Sequence, residues 1–120
     1  MALASFGEVQ LDIDTIERKE LKEKLDRGDD FALVMTLHDF AYRAAHIPGS
    51  LHYHTVEDAF AALQPDQEIV VYCSDEACVA SQYAYKALRE KGYENVRRYS
   101  GGLSDWQEAG YPLEGQAVAE

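Results

Sequence analysis

The sequence has few cysteines and no long apolar run, and each shortage excludes a class of protein. Its 120 residues contain two cysteines, too few for the disulfide framework of a small secreted domain. The first ten residues, MALASFGEVQ, lack the basic segment and apolar stretch of a secretory signal. No apolar run approaches the roughly 18 residues of a membrane-spanning helix. We therefore predict a cytoplasmic protein with no membrane partner.

Basic residues are also scarce, since 11 lysines and arginines face 22 acidic residues and leave a formal net charge of -11. A protein that binds nucleic acid needs a basic surface to neutralise phosphates, and anionic membranes attract the same kind of surface. The basic residues between Arg18 and Lys24 are interleaved with glutamates, which is typical of a solvated helix face. The charge balance predicts no nucleic-acid partner, and it repels small anions at long range.

The composition is that of a folded domain. Hydrophobic residues make up 47% of the chain and aromatic residues 11%, which supplies enough apolar side chain for a core and argues against disorder. A chain of this length forms one domain, and no repeat, low-complexity tract or linker divides it. We predict a single domain over residues 1–120, with its core within residues 9–115.

Strand and helix signals alternate along the chain. Apolar runs bounded by turn residues predict strands at residues 8–14, 31–37, 50–54, 68–73 and 95–99. Amphipathic segments predict helices at residues 14–28, 56–63, 80–92 and 103–110. Such alternation is typical of an α/β fold, here an open parallel sheet of about four to five strands with helices on both faces.

Two of these helices carry boundary signals. Asp14 is placed to cap the first helix with Glu17 reaching back, and Gly28 is placed to end it. Gly92 is placed to end the third helix in the same way. The inner side of that third helix is predicted from residues at helical spacing, which are Ala80, Ala84, Ala87 and Leu88.

Cys73 ends the apolar run EIVVYC, and a predicted helix begins a few residues later. In open parallel sheets the chemistry lies just beyond the carboxyl ends of the strands, and a helix N-terminus at that place favours a thiolate. The position therefore makes Cys73 a candidate nucleophile. The other interpretation is a small buried cysteine with no chemical role.

Four short segments form a set: AHIPGS (45–50) preceded by Tyr42, VVYC (70–73), GYENV (92–96) and YSGGLSDWQEAGYPLEG (99–115). In this order they resemble four motifs of the rhodanese family in its single-domain form. Those motifs are the "GHIPGA" turn, the strand that delivers the nucleophile, the "GF-x-N-V" entry to the next strand and the closing "L-x-GG-x-x-x-W-x-x-x-G-x-P" segment. The resemblance implies a rhodanese-like fold over residues 9–115.

The same resemblance implies a sulfurtransferase. Cys73 would take a sulfane sulfur from a donor, hold it as a persulfide and pass it to a thiophilic acceptor. Its donor would be a small sulfur compound or a protein persulfide, and its acceptor a thiol or a cyanide-type nucleophile, with no metal or organic cofactor. Backbone N–H groups would stabilise the thiolate and the persulfide from the active-site loop, which is Ser74, Asp75, Glu76, Ala77, Cys78 and Val79.

The remaining motif residues are interpreted as structural. Pro48 and Gly49 set a tight turn, and His46 fixes that turn by a hydrogen bond rather than acting as a base. His52 and His54 alternate on a predicted strand, but no third ligand stands at a recognisable spacing, so we predict no metal site. The closing segment contributes two glycines for close backbone approach and one aromatic side chain for core packing, namely Gly101, Gly102 and Trp106.

Two departures from the family pattern keep a second function open. Counting back from His46, the positions where the family carries Asp and Arg fall on Met35 and Leu37. The segment from Cys73 to Gly92 is also about two residues longer than in the common pattern, a change that loops absorb readily. The alternative function is a rhodanese-fold binding or regulatory module that does little chemistry.

Two other cysteine chemistries fit the loop less well. A phosphatase of the rhodanese-related cell-cycle type needs a loop arginine to bind phosphate oxygens, whereas this loop has none and carries Asp75 and Glu76. A thioredoxin-like role requires the spacing C-x-x-C, and here it is C-x-x-x-x-C. Cys78 itself is either a small apolar residue at the base of the following helix or a resolving thiol for Cys73.

Overall fold

The computed structural model describes residues 13–117, in which four strands alternate with five helices. The strands are β1 (Ala32–Met35), β2 (Leu51–His52), β3 (Ile69–Tyr72) and β4 (Val96–Tyr99). The helices are α1 (Arg18–Arg27), α2 (Asp39–Ala44), α3 (Val56–Ala62), α4 (Ala80–Glu90) and α5 (Gly102–Glu108). None of the helices in the described part of the chain is long and apolar enough to cross a membrane.

The four strands form one sheet in the order β2-β1-β3-β4, and every pairing is parallel. Strand β3 is central, with Tyr72 in register with Met35 on one side and with Tyr99 on the other. Because the strands are parallel, their carboxyl ends lie along the same edge of the sheet. The residue that follows Tyr72 therefore emerges in the middle of that edge.

Strands β1 and β3 are buried along their whole length, which explains why both read as continuous apolar runs. One face of the sheet packs against α1 and α5 in a cluster that includes Leu33, Met35, Val70, Tyr72, Leu21 and Trp106. The other face packs against α3 and α4 in a cluster that includes Ala32, Val34, Ile69, Val71, Leu63 and Leu88. The predicted open parallel α/β sheet with helices on both faces is confirmed.

The N-terminal region differs from the prediction. Residues 8–12 of the strand predicted at residues 8–14 lie outside the described residues. Helix α1 begins at Arg18 rather than after Asp14, because the backbone of residues 14–16 pairs with Arg98: the Arg98 N–H donates to the Asp14 carbonyl at 2.8 Å, and the Ile16 N–H donates to the Arg98 carbonyl at 3.0 Å. The predicted Asp14 cap is therefore wrong. Gly28 ends the helix as predicted, with a φ of 75°.

Two further helices also depart from the prediction. Helix α2 was not predicted, and the ring nitrogen Nδ1 of His38 accepts a hydrogen bond from the Ala41 N–H at its start. In α4 the buried residues are Ser81, Tyr85 and Leu88, so the predicted inner side holds only at Leu88. The reason is that Tyr85 is drawn inward, where its hydroxyl accepts from the Asp14 N–H at 3.1 Å. The predicted alanines are half-buried and line a cavity instead: Ala80, Ala84 and Ala87.

Candidate functional site

Cys73 follows β3 directly, at the middle of the carboxyl edge of the sheet, and only 1% of the residue is exposed. The start of α5 is fixed to it by two hydrogen bonds. The Leu103 N–H donates to the Cys73 carbonyl at 3.0 Å, and the Ser104 N–H donates to the Ser74 carbonyl at 2.8 Å. The first turn of α5 thus sets the backbone position of Cys73.

Gly101 and Gly102 permit this close approach. Gly102 has a φ of 66°, and a Cβ atom there would lie 2.5 Å from the Cys73 carbonyl oxygen and 2.8 Å from the Ser74 carbonyl carbon. Real Cβ contacts essentially never fall below about 3.0 Å, so the backbone of the two segments would have to separate. A Cβ at Gly101 would lie 2.5 Å from the Cβ of Asp105. Both positions therefore exclude a side chain.

Cys73 and Cys78 are joined by a disulfide bond, with their Cα atoms 6.3 Å apart. The loop between them closes as a tight turn. The Cys78 N–H donates to the Asp75 carbonyl at 3.2 Å, and the Ala77 N–H donates to Oδ1 of Asp75 at 3.1 Å. The turn thus brings Cys78 to the candidate nucleophile.

Arg98 of β4 holds this loop from beneath. Its guanidinium donates through Nε to Ser81 Oγ at 2.8 Å and through Nη2 to the carbonyl oxygens of Glu76 at 3.0 Å and Cys78 at 3.4 Å. Burial lowers the pKa of the Arg98 guanidinium, and the nearby charge of Glu76 opposes that shift. Arg98 was not among the predicted site residues, although two adjacent arginines in an otherwise apolar strand indicate that one of them is used inside the protein.

The loop presents its charges to solvent. Asp75, Glu76, Ala77 and Val79 are exposed, whereas Ser74 and Cys78 are half-buried. Two exposed carboxylates therefore lie within three residues of Cys73, and their charge lowers the local concentration of anions.

The turn at residues 46–49, called the HIPG turn below, is hydrogen-bonded to Tyr72, the residue before Cys73. The Ile47 N–H donates to the Tyr72 hydroxyl at 3.0 Å, and that hydroxyl lies 2.9 Å from Ser50 Oγ, with one hydroxyl donating to the other. Burial raises the pKa of Tyr72 to about 12. Within the turn the Ser50 N–H donates to the Ile47 carbonyl at 3.0 Å, and Gly49 takes a φ of 86°, which a type II turn requires after Pro48.

His46, the first residue of the HIPG turn, is held by contacts with Tyr42 and Glu114. Its ring stacks on Tyr42 with centroids 4.0 Å apart, and its Nδ1 lies 2.8 Å from the Tyr42 carbonyl oxygen. Its backbone pairs with Glu114, through hydrogen bonds of 2.8 and 2.9 Å. The Tyr42 hydroxyl completes the set by donating to the Ser50 carbonyl at 2.6 Å.

Trp106 is buried at the centre of the α5 face, with 1% of the residue exposed. Its indole N–H donates to the Pro112 carbonyl at 2.8 Å, and its ring stands edge-on to Tyr99 and Tyr111. The indole thus packs in the core and satisfies its polar atom there.

A cavity of about 890 Å³ lies beside the site, between α2, α3 and α4. The two positions where the family carries Asp and Arg are apolar, since Met35 is buried in the core and Leu37 lines the cavity. Three exposed apolar side chains also line it: Phe40, Val56 and Tyr83. The lining is mostly apolar but includes the charged residues Asp39 and Arg43.

His52 and His54 both approach Asp39 at the edge of this cavity. His52 Nε2 lies 3.0 Å from Asp39 Oδ1, and His54 Nδ1 lies 3.2 Å from Asp39 Oδ2. Burial lowers the pKa of His52, and the carboxylate of Asp39 opposes the shift. Within residues 13–117 no group of three or more His, Cys, Asp and Glu residues is arranged to hold a metal ion.

Tyr72→Phe is expected to lower the free energy of unfolding by about 1–3 kcal/mol, because the buried Ile47 N–H loses its acceptor. Urea denaturation measures this change. The control is Tyr83→Phe, which removes a hydroxyl from an exposed side chain and should change stability by less than about 0.5 kcal/mol. Equal effects of the two substitutions would show that the Tyr72 hydroxyl does not hold the turn.

The comparisons of the sequence with known proteins agree on one family. A sequence profile described as a rhodanese-like domain matches residues 17–109. The thiosulfate sulfurtransferase GlpE of Pseudoalteromonas translucida (strain TAC 125) is 32% identical over 90 residues, which cover 72% of this chain and 82% of that protein.

Solved structures show the same architecture. A rhodanese-like domain from Anabaena sp. superposes with a TM-score of 0.76 at 28% identity, covering 86% of this chain and 80% of that one. The polysulfide-sulfur transferase homodimer from Wolinella succinogenes superposes with a TM-score of 0.72 at 21% identity, covering 95% of this chain and 87% of that one. At that lower identity the likeness shows the fold alone.

Proposed function

The chain belongs to the rhodanese family, and from that premise we propose that it is a sulfurtransferase in which Cys73 carries the sulfur as a persulfide. The observation that supports the proposal most strongly is the place of Cys73. It follows the central strand, its carbonyl is fixed by α5, and a closed loop leads from it into α4. This is the position from which a parallel α/β sheet presents a reactive group.

The reaction has two halves. In the first, the Cys73 thiolate attacks the sulfane sulfur of a donor such as thiosulfate; the new S–S bond forms as the old one breaks, and sulfite leaves. In the second, a thiophilic acceptor attacks the outer sulfur and Cys73 leaves as a thiolate. Two loop N–H groups, those of Ala77 and Cys78, donate to Asp75. The other backbone N–H groups over residues 74–79 and the N-terminus of α4 favour the two anionic states.

Mass spectrometry of the reduced Cys78→Ser protein tests the proposal, because this variant lacks the second thiol of the loop. After incubation with a sulfane donor and removal of the excess, its intact mass should rise by one sulfur atom, in a form that a thiol reductant removes. Tryptic cleavage leaves Cys73 in the peptide 44–86, so fragmentation of that peptide places the sulfur. A sulfur found on a residue other than Cys73, or one that Cys73→Ser also takes up, would overturn the assignment.

The charges near Cys73 also affect which sulfur donor the protein prefers. Asp75 and Glu76 stand exposed on the loop beside Cys73, and the whole chain is acidic. Both features repel a dianion such as thiosulfate, and Cys73 is almost fully buried. We propose that the preferred donor is a low-molecular-weight persulfide, which is small and carries less charge than thiosulfate at its reacting end.

The double substitution Asp75→Asn/Glu76→Gln is expected to raise the second-order rate constant with thiosulfate by about tenfold at low ionic strength, because the repulsion of the incoming dianion is removed. The asparagine still offers Oδ1 to the Ala77 N–H, so the turn is kept. Sulfite release at several salt concentrations measures the effect, which should shrink as salt rises.

The control for this prediction carries the same charge change on the opposite side of the molecule. Asp66→Asn/Glu94→Gln alters two exposed acids that precede β3 and β4, at the amino edge of the sheet. It should leave the rate with thiosulfate close to that of the wild type. An equal gain in both double variants would mean that net charge, and not the loop, sets the rate.

The alternative function, a binding module of the same fold, is favoured by Met35 and Leu37. Met35 is buried in the core and Leu37 lines the cavity, so neither position supplies the acid or the base that the family carries there. The two functions differ in one measurement, the uptake of sulfane sulfur by the reduced protein. A reduced Cys78→Ser protein that takes up no sulfur from thiosulfate, polysulfide or a low-molecular-weight persulfide would favour the module.

A further inference from the structure

We infer that Cys78 resolves the persulfide on Cys73, so that the protein releases the sulfur as hydrogen sulfide and closes its own disulfide. The inference rests on the proposed function and adds a second activity to it. It follows from the pairing of the two cysteines in one closed loop. In this activity the acceptor is a residue of the chain itself, and an external dithiol completes the cycle.

The loop is built to keep the two sulfurs together. The Cα atoms of Cys73 and Cys78 are 6.3 Å apart, within the range of about 4.4–6.8 Å that a disulfide needs. Two hydrogen bonds to Asp75 close the turn. Arg98 binds the carbonyl of Cys78 itself at 3.4 Å. The turn is therefore held by its own backbone hydrogen bonds and by a side chain of β4, in addition to the S–S bond.

The chemistry balances without any further group. The Cys78 thiolate attacks the inner sulfur, which is Sγ of Cys73, and forms the Cys73–Cys78 bond. The bond between the inner and outer sulfurs breaks, and the outer sulfur takes the electron pair and the proton that the Cys78 thiol gave up, so it leaves as hydrosulfide. The sulfane sulfur is thus reduced by two electrons to sulfide, and the two cysteines are oxidised by two electrons to the disulfide.

Burial favours this acceptor over an external one. Cys73 is almost fully buried, so a large external thiol reaches its outer sulfur with difficulty. Cys78 is tethered within the same loop and acts at the high effective concentration of an intramolecular group.

Regeneration requires an external dithiol. Cys78 is half-buried and Cys73 is buried, so the dithiol attacks the Sγ of Cys78 and Cys73 leaves as the thiolate. The second thiol of the reductant then attacks the mixed disulfide and frees Cys78, while the reductant becomes a disulfide. Attack at the accessible sulfur therefore restores the nucleophile first.

A single-turnover experiment without reductant tests the inference. Wild-type, Cys78→Ser and Cys73→Ser proteins are reduced, freed of reductant under anaerobic conditions, and incubated with thiosulfate at high concentration. Thiosulfate is chosen because its own product is sulfite, so that any sulfide must come from resolution. If its outer sulfur is isotopically labelled, the label identifies that sulfide. Sulfite, sulfide, free thiols and intact mass are measured, and a sample without thiosulfate controls for oxidation.

The wild type should release about one sulfite and about one sulfide per chain and lose both thiols, with no sulfur retained. Cys78→Ser should release sulfite but less than about a tenth as much sulfide, and keep the extra sulfur on Cys73. Cys73→Ser should release neither. An extra sulfur retained by the wild type on Cys73, without sulfide, would overturn the inference and leave the proposed function standing, whereas one retained on Cys78 in both the wild type and Cys73→Ser would overturn both. Absence of sulfite from both the wild type and Cys78→Ser would overturn the proposed function, and the inference with it.

Discussion

Cys73→Ser is expected to lower sulfur-transfer turnover by at least about a thousandfold, because the proposed mechanism holds the sulfur on this residue and a serine hydroxyl forms no persulfide. Turnover is measured with a sulfane donor and a monothiol or cyanide acceptor, by following the product of the acceptor. The effect should be of the same size with every donor, since the two halves of the reaction share the one sulfur carrier.

The comparison must be made under reducing conditions, since Cys73→Ser also removes the disulfide with Cys78. Thermal unfolding with a reductant present should give similar midpoints for the variant and the wild type. The substitution exchanges one small buried atom for another. Turnover by a folded Cys73→Ser protein within tenfold of the wild type would contradict the assignment of Cys73 as carrier.

The sheet could be predicted from the sequence because its signals are local. The runs FALVMTL and EIVVYC are apolar without alternation, and only a strand buried on both faces needs that pattern. Gly28 ends α1 because a left-handed backbone suits glycine at that place. The place of Cys73 followed from the same reasoning, since parallel strands put their carboxyl ends at one edge.

The start of α1 could not be predicted because it depends on a distant segment. Asp14 is a good helix cap in sequence, but its carbonyl accepts the N–H of Arg98, and that pairing keeps the backbone extended. Tyr85 of α4 was missed for a related reason, since its hydroxyl reaches the same N-terminal segment. Local propensity gives way where a contact across the fold fixes the backbone.

In the candidate site, too, one feature could be predicted from local signals and the others depend on distant segments. The position of Cys73 follows from the parallel order of the strands, whereas the contacts that shape the loop come from other elements. Arg98 reaches the loop from β4, and Gly102 reaches it from α5. The pairing of Cys78 with Cys73 depends on how tightly the loop turns, and spacing alone leaves that open.

The approach of Gly102 to Cys73 leads to the second large effect. Gly102→Ala is expected to lower the free energy of unfolding by about 3 kcal/mol, through left-handed strain of about 1–2 kcal/mol and crowding of a similar size. The crowding arises because the new Cβ would lie 2.5 Å from the Cys73 carbonyl oxygen, a backbone atom that cannot rotate away.

Gly28→Ala separates the two contributions. Gly28 has a φ of 75°, close to the 66° of Gly102, but a Cβ there would meet nothing within 4 Å. It should cost only the strain of about 1–2 kcal/mol and leave sulfur uptake unchanged. Chemical denaturation gives the two stabilities.

Single-turnover sulfur uptake from thiosulfate, followed by the rate of sulfite release and measured where both variants are folded, gives the effect on the site. Uptake by Gly102→Ala should fall at least about tenfold, because a shift of the Cys73 backbone by a fraction of an ångström misplaces the nucleophile. Gly28→Ala leaves that backbone untouched, so a difference in uptake between the two variants reports the contact of α5 with Cys73. If the two variants match in both stability and uptake, the first turn of α5 does not set the position of Cys73, and the alignment of the nucleophile comes from β3 alone.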